Sequence, residues 1–352
     1  MINIITYHET TNYGALIQCL ALKQYIEKKY QTNVSLCDYH PKELIFAEKY
    51  RPLITKNFSK LYQTLKKNYT VSKWKKNAFK ENKYINHYKE NTLNIYGSDE
   101  IWNFDNAYHG YDPYYFGKFD TEKKIAYAVS IGRSSYSSLG QEMKDEIKKL
   151  LHGFSKISVR DENTAEFVYQ LTKIESEIVL DPSLIYTPPI LEDKRFLSYE
   201  IEHDYVLIYG TVFSKIQKEL INNFCKKRNL KVISVGYYNK WVKKNYLGLN
   251  PTTFYNFIKN SKYVFTSMFH GVMFSTKLSK QFYFSTDPIR ENKIKSFINN
   301  LKLNDREILN NLSDQEIDYY EVNKKINKLK DSSRNFLINN INKVFNLNEN
   351  IY

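Results

Sequence analysis

Tyr263-Val264-Phe265-Thr266-Ser267-Met268-Phe269-His270-Gly271 passes from a β-branched and aromatic run, through a short turn, into a helix that starts at the glycine. Such a run bounded by turn residues reads as a buried strand. His270 then lies at the carboxyl end of a strand and at the amino end of a helix. Open parallel sheets bind ligands beyond the carboxyl ends of their strands, which makes that location informative. A lone histidine also has an ordinary structural reading, and both stay open at this point.

Working outward, the same rhythm repeats. Upstream, Tyr205–Tyr209 reads as a strand and Phe213–Lys227 as a helix with Phe213, Ile216, Leu220, Ile221 and Phe224 on its inner face. Val232–Val235 and Phe282–Phe284 supply further strands, and Asn250-Pro251 is an N-cap followed by proline at the first helical position. Before the pair Pro188-Pro189 a first block reads likewise: strands at Ile2–Thr6, Asn33–Asp38, Leu93–Tyr96, Ile125–Ile131, Lys156–Val159 and Ile178–Leu180. Helices are expected at Gly14–Lys29, Leu139–Leu151 and Asp161–Leu171. Strands alternating with helices imply parallel sheets with crossover connections. The expected organisation is a Rossmann-like domain over 1–187, a second over 188–304, and a polar helical tail over 305–352 packing across the domains.

The 352 residues suffice for two cores. No apolar run approaches the ~20 residues that span a bilayer, and Met1-Ile2-Asn3-Ile4-Ile5 reads as a first strand, so a cleaved leader is not expected. Cys19, Cys37 and Cys225 are scattered, which fits a reducing cytoplasm and offers no zinc motif. The net charge of +14 attracts polyanions in general, although a Lys- and Asn-rich composition accounts for much of it. Residues 51–90 carry eleven Lys/Arg against two Asp/Glu, with Ile54, Phe58, Leu61, Tyr62, Leu65 and Tyr69 at helical spacing. A basic amphipathic helix of this kind either packs on its own domain or lies on an anionic membrane surface. Among nucleic-acid readers no signature is recognisable, so no nucleic-acid partner is expected.

Several polar residues follow strands. His8 to Gly14 opens a helix with a glycine, a geometry in which backbone N–H groups approach an anion, but the segment is neither dinucleotide fingerprint nor P-loop. Gly97-Ser98-Asp99-Glu100-Ile101-Trp102-Asn103 places a carboxylate and an indole on one turn. Asp99 is a candidate base or sugar-hydroxyl acceptor and Trp102 a candidate stacking platform; a capped turn with a core tryptophan is the alternative. Arg133 and Arg160 end strands, and Arg290 and Lys293 stand near a helix start. An arginine so placed can grip a carboxylate or phosphate with two parallel hydrogen bonds, or, for Arg160, pair with Asp161 or Glu162.

Asn12-Tyr13-Gly14-Ala15-Leu16-Ile17-Gln18, Gly97 to Asn103, Ile157-Ser158-Val159-Arg160-Asp161, Leu180-Asp181-Pro182-Ser183 and Ser267-Met268-Phe269-His270-Gly271 occur in that order. Their succession, over roughly residues 3 to 300, resembles the polysaccharide pyruvyl transferase family. The resemblance implies two Rossmann domains facing a cleft in a GT-B-like arrangement. It implies phosphoenolpyruvate as co-substrate, with no cofactor and no metal, and a lipid-linked or polymeric glycan as acceptor. By that resemblance His270 and Asp99 are the catalytic candidates. Arg160, Arg290, Arg133, Lys293 and Ser267 are candidates for the donor, and Asn12, Tyr13, Trp102 and Asn103 for the acceptor. Members often carry Arg-Leu-His where this chain has Met268-Phe269-His270, so the histidine is present and the arginine is absent. A protein of this kind is expected in the cytoplasm, at the inner membrane face where its acceptor is lipid-linked. The rival reading is a GT-B-type glycosyltransferase with a nucleotide-sugar donor, since function resides in the site and not the fold.

Overall fold

A computed structural model describes residues 1–80, 84–85, 92–120, 123–200, 204–286 and 291–347, with 84–85 and 291–292 as backbone only. Arg290 and most of 81–90 lie outside the described residues.

The first sheet contains β1 (Ile2–Ile5), β2 (Val34–Cys37), β3 (Tyr84–Ile85), β4 (Leu93–Tyr96), β5 (Lys123–Val129), β6 (Lys156–Val159) and β7 (Glu177–Ile178), in the spatial order β3-β2-β1-β4-β5-β6-β7. The second contains β8 (Tyr205–Tyr209), β9 (Lys231–Val235), β10 (Lys244–Tyr246), β11 (Tyr263–Thr266) and β12 (Gln281–Phe284), in the order β10-β9-β8-β11-β12. All described pairings are parallel. Both sheets are doubly wound, and the fold is two Rossmann-like α/β units facing a cleft. The central strands are buried on both faces, which is why Ile2-Asn3-Ile4-Ile5 and Tyr205-Val206-Leu207-Ile208-Tyr209 are nearly continuous apolar runs.

Helix α1 (Tyr13–Tyr30) is capped by the Asn12 side chain, which accepts from Gly14 N at 3.0 Å. It buries residues all around its circumference, from Tyr13 to Leu22, because it is sandwiched between the first sheet and the second unit. One apolar cluster runs from Ile4 and Leu36 through Leu16 and Leu20 to Leu207 and Val264. The two sheets therefore share a core across the Pro188-Pro189 segment, and the tail returns to the first sheet. There Phe336 packs near Tyr127, and the Ser333 hydroxyl accepts from Leu180 N at 2.8 Å.

Two expectations about helix faces are corrected. The helix expected from Phe213 begins at Lys215, because Ser214 and Gln217 form a reciprocal capping box that sets its start. Its Ile216 is 56% exposed, pointing away from the inner face made by Ile221 and Phe224. The basic insertion forms α2 (Phe58–Ala78), held by the face that carries Thr64, Val71 and Trp74. Trp74 Nε1 donates to Thr252 Oγ1 at 2.9 Å and Thr70 Oγ1 to the Leu249 carbonyl at 3.0 Å, so α2 bridges the two units. Phe58, Tyr62, Leu65 and Tyr69, expected to include its packing face, are exposed.

Because Trp74 is fully buried at that bridge, Trp74→Ala should lower the stability of the whole molecule by roughly 3–5 kcal/mol in chemical denaturation. A loss below about 1 kcal/mol would make α2 an appendage, not a strut.

Candidate functional site

The strand order reverses between β1 and β4 in the first sheet and between β8 and β11 in the second. The loops at these two switch points face each other, where ligands of doubly wound sheets bind. Between them lies a cleft of about 200 Å³ lined by Thr10, Asn12, Glu48, Asp99, Glu100, Tyr108, Met268, Phe269, His270 and Lys293. A second cavity of about 250 Å³ shares Asn12, Glu48 and Tyr108 and extends to Tyr13, Lys67, Tyr209 and Tyr237.

His270 stands in the first turn of α7 (Phe269–Lys277), which follows α3 (Gln141–His152), α4 (Glu162–Thr172), α5 (Lys215–Lys227) and α6 (Pro251–Asn260) in chain order. Its ring lies against the start of α1. A β-carbon placed on Gly14 would come within 2.2 Å of His270 Cγ, so glycine is required there by space. Gly271 is constrained in the same way, since its β-carbon would meet Thr266 Oγ1 at 2.1 Å. His270 Nε2 is 4.0 Å from Asp181 Oδ2, beyond hydrogen-bond reach, and has no hydrogen-bond partner among the described residues. Burial lowers its pKa below the usual histidine value, with Arg160 and Lys293 acting in the same direction and Asp181 and Asp99 opposing.

Asp181 is the buried hub behind His270. Its Oδ2 accepts from Arg160 Nη1 at 3.1 Å and Ser98 Oγ at 3.3 Å, and its Oδ1 from Ser183 N at 3.0 Å and Ser183 Oγ at 2.7 Å. Arg160 is thus committed to Asp181, with a longer contact of 3.5 Å to Asp99 and its guanidinium 4.8 Å from the centre of the Phe269 ring. Asp161 is not its partner, because that carboxylate caps its own helix through Thr164 N at 2.9 Å. Arg160 is therefore a buried counter-ion for two carboxylates and is not among the residues that line the cleft. Asp99 lines the cleft at φ 93, a backbone region costly for a non-glycine residue.

Glu100 and Lys293 form an ion pair across the cleft, joining the loop after β4 to α8 (Glu291–Leu301). Burial pushes the Glu100 carboxyl up, but Lys293, Arg160 and the Asn103 amide together bring it down to about 2. Asn103 donates to Glu100 Oε2 at 3.1 Å and so positions the pair instead of meeting an acceptor itself. Trp102 is corrected to a core residue: fully buried, its indole donates to the Tyr115 carbonyl at 2.8 Å and its ring stacks on Phe116, leaving no face for a sugar. Tyr13 donates to the Leu247 carbonyl at 3.0 Å and joins the units, while its ring carries the Lys67 ammonium at 4.8 Å. Ser267 is buried beneath Gly210, its hydroxyl accepting from Val212 N at 3.3 Å, and does not line the cleft. Arg133 is exposed on the loop after β5 and is not itself among the lining residues, although Gly132 beside it lies against the Glu100 carboxylate.

Sequence reading passed over Glu48, Lys67 and Tyr108, and named Asp181 without assigning it a role. Glu48 accepts from Thr11 N at 2.8 Å and closes one wall; its only signal was to be the single acid between residues 46 and 80. Asp181 was visible only as part of the Leu180 to Ser183 motif. No group of His, Cys, Asp and Glu suited to a metal ion occurs among the described residues.

Two facing doubly wound sheets, with a histidine and carboxylates between their switch points, define a two-domain α/β enzyme architecture. A family model described as polysaccharide pyruvyl transferase matches residues 12–288, and the chain belongs to that family. It is a transferase of polysaccharide biosynthesis with a glycan acceptor. No curated protein matches the chain significantly. Similar solved structures include S. aureus MnaA in a UDP co-structure, at 11% identity over 99% of this chain and 97% of that one, with TM-score 0.48. UDP-GlcNAc 2-epimerase from Methanocaldococcus jannaschii is 12% identical over 93% and 91%, with TM-score 0.45. E. coli ADP-heptose lps heptosyltransferase II is 10% identical over 95% and 99%, with TM-score 0.34. Likeness at this level carries no argument about chemistry.

Two outcomes follow from the buried charges. Arg160→Ala leaves Asp181 and Asp99 without their counter-ion and should destabilise the fold by roughly 3–5 kcal/mol, read by denaturant titration, with Arg160→Ala/Asp181→Asn recovering part of the loss. The second concerns pH. Burial drives His8 down to about 4, against the Thr6 carbonyl and Glu9, and His270 is lowered in the same sense. Folded pKa values below the unfolded value mean that this stability is complete above about pH 6.5 and is lost as pH falls toward 4. The His8 contribution should therefore decline from pH 6.5 to 5 by about 1 kcal/mol per pH unit, with His270 acting in the same direction, and His8→Gln should flatten that slope. An unchanged slope in His8→Gln would assign the loss elsewhere.

Proposed function

We propose that the cleft transfers pyruvate from phosphoenolpyruvate to two hydroxyls of one sugar of the glycan acceptor, forming a ketal, with His270 moving the protons. The observation that carries this reading is the unpartnered Nε2 of a neutral, buried imidazole between the two switch points. In the balanced reaction the donor methylene becomes a methyl group by gaining one proton. Two sugar oxygens bond to the central carbon, the carbon–oxygen bond to phosphate breaks, and the phosphate leaves carrying the second hydroxyl proton. Histidine suits proton transfer near neutral pH, and a bound anionic donor raises a pKa that burial has lowered.

The cleft's charges divide the labour. Glu48 and Asp99, with Asn12 and Tyr108 beside them, offer acceptors and donors matched to sugar hydroxyls. The donor's anionic groups are assigned to Lys293, which would exchange Glu100 for the ligand, and to the amino end of α7. Arg290, the residue before α8 in the sequence and outside the described residues, keeps in this proposal the donor role expected of it from the sequence. Met268 lines the cleft at the position where members often carry arginine, so this chain meets the donor there with a thioether. The nucleotide-sugar reading has one observation in its favour, the aromatic cavity formed by Tyr13, Tyr209 and Tyr237 beside Lys67.

Phosphoenolpyruvate in hundredfold excess over its Kd should stabilise the folded protein by about 2.7 kcal/mol and raise Tm, while nucleotide sugars leave it unchanged. His270→Asn should keep that donor shift and lose turnover by on the order of a hundredfold. A shift with nucleotide sugars alone would replace this reading with the glycosyltransferase one. Near-normal turnover in His270→Asn would move the proton-transfer role to Asp99.

A further inference from the structure

Helix α2 has two apolar faces, and only one is used. Thr64, Val71 and Trp74 are buried against the second unit. On the opposite side Phe58, Tyr62, Leu65 and Tyr69 follow at intervals of four, three and four residues, which places them on one stripe. Phe58 is 86% exposed, Tyr62 67% and Tyr69 68%. Phe46, Tyr50 and Ile54, from the segment that leads into the helix, extend this apolar surface and are also exposed. That segment is held to the helix by Asn68, whose amide donates to the Lys49 carbonyl at 2.9 Å. Nothing among the described residues covers the stripe. An apolar surface of this extent on a soluble protein marks a contact with something else.

Its charges say what. Residues 46–80 contain ten Lys and Arg and one acid, Glu48, and that acid is turned inward to Thr11. Lys73 and Lys76, four and seven residues beyond Tyr69, continue the same stripe and are exposed; Arg51 and Lys56, in the leading segment, are exposed as well. Aromatic rings combined with cations match the headgroup region of a membrane, where the rings enter the acyl boundary and the ammonium groups meet anionic lipid. The aliphatic Ile54 and Leu65 have no use to a polyanionic polymer, which sets lipid above nucleic acid or free glycan. The surface is also preformed, since Trp74, Thr70 and Gln63 tie α2 to residues 247–252. No described helix is long and apolar enough to cross a bilayer, so the contact is peripheral.

We propose that the outward stripe of α2, with residues 46–54, is a docking surface for an anionic membrane. The same insertion supplies Glu48 and Lys67 to the cleft and its neighbouring cavity, so docking brings the cleft mouth to the lipid surface from which a lipid-linked acceptor would be presented. The surface does not depend on the donor assignment, and its test uses no substrate.

The full chain is to be sedimented with vesicles of phosphatidylcholine alone and of phosphatidylcholine with phosphatidylglycerol. Binding is expected to the anionic vesicles only, weakening severalfold as salt rises from about 0.05 to 0.5 M. Phe58→Ser/Tyr62→Ser/Tyr69→Ser and, separately, Lys73→Glu/Lys76→Glu should each weaken it by on the order of tenfold, with unchanged Tm showing that both variants are folded. Absence of binding, equal binding to both vesicle types, or full binding by both folded variants would overturn the proposal. So would light scattering showing a wild-type dimer that the aromatic variant converts to monomer, since the stripe would then be covered by a second copy.

Discussion

The imidazole of His270 occupies the space that any side chain at position 14 would need. This contact joins the amino end of α1, from the first switch point, to the amino end of α7, from the second. It sets how closely the two sheets approach, and so how deep the cleft between them is. Tyr13, one residue earlier, makes the complementary contact by donating to the Leu247 carbonyl and stacking on Phe254. The start of α1 is therefore a contact block in which Gly14 brings no side chain and its neighbour Tyr13 is an anchor. A histidine held this way loses most of its rotational freedom before any ligand arrives, which is the form of preorganisation that proton transfer requires.

Behind the imidazole one buried cation, Arg160, is set between the carboxylates of Asp181 and Asp99. Asp181 is satisfied on both oxygens, and the Arg160 guanidinium carries the opposite charge into a region from which water is excluded. A buried pair of this kind adds little net stability, but it fixes the geometry of everything that touches it. Because Asp181 keeps 4.0 Å from His270 Nε2, it influences the imidazole through space without taking its proton. In front of the imidazole the balance differs, with Glu48, Asp99 and Glu100 set against Lys293. A wall rich in carboxylates is suited to hydroxyl donors. The cleft's positive groups are confined to the edge formed by Lys293 and the amino end of α7.

The doubly wound plan was legible because it depends on period and punctuation. Tyr205–Tyr209 matches its expected limits residue for residue, since it is an apolar run bounded by Asp204 and Gly210. His270 was legible for the same reason, being a polar residue at a strand end. What escaped was everything decided by long-range pairing. Arg160 has the sequence context of a ligand-binding arginine, yet its partner lies at Asp181, on a segment legible only as the Leu180 to Ser183 motif. Trp102 has the context of a sugar platform, but Tyr115 and Phe116, from a loop without periodicity, enclose it. Glu48 sits in a basic insertion where an acid reads as noise, and only the folded chain brings it to Thr10 and Thr11. In the α2 region the apolar spacing was read correctly as helical, but spacing alone cannot say which of two apolar stripes faces inward.

That ambiguity has a structural consequence. The face of α2 bearing Gln63, Thr70 and Trp74 holds to residues 247–252, and Lys67 on the same side reaches the ring of Tyr13. A helix with its side chains is about 10–12 Å across, so the outer stripe lies only about one helix diameter from the wall that Lys67 forms. Burial lowers the pKa of Lys67, with Glu48 opposing, while Lys73 and Lys76 remain at the surface. One basic segment thus supplies two kinds of cation, one desolvated beside the cavity and one hydrated outside. The excess positive charge of this region is divided by the helix itself, because the contacts of Gln63, Thr70 and Trp74 with residues 247–252 decide which side faces the cavity and which faces outward.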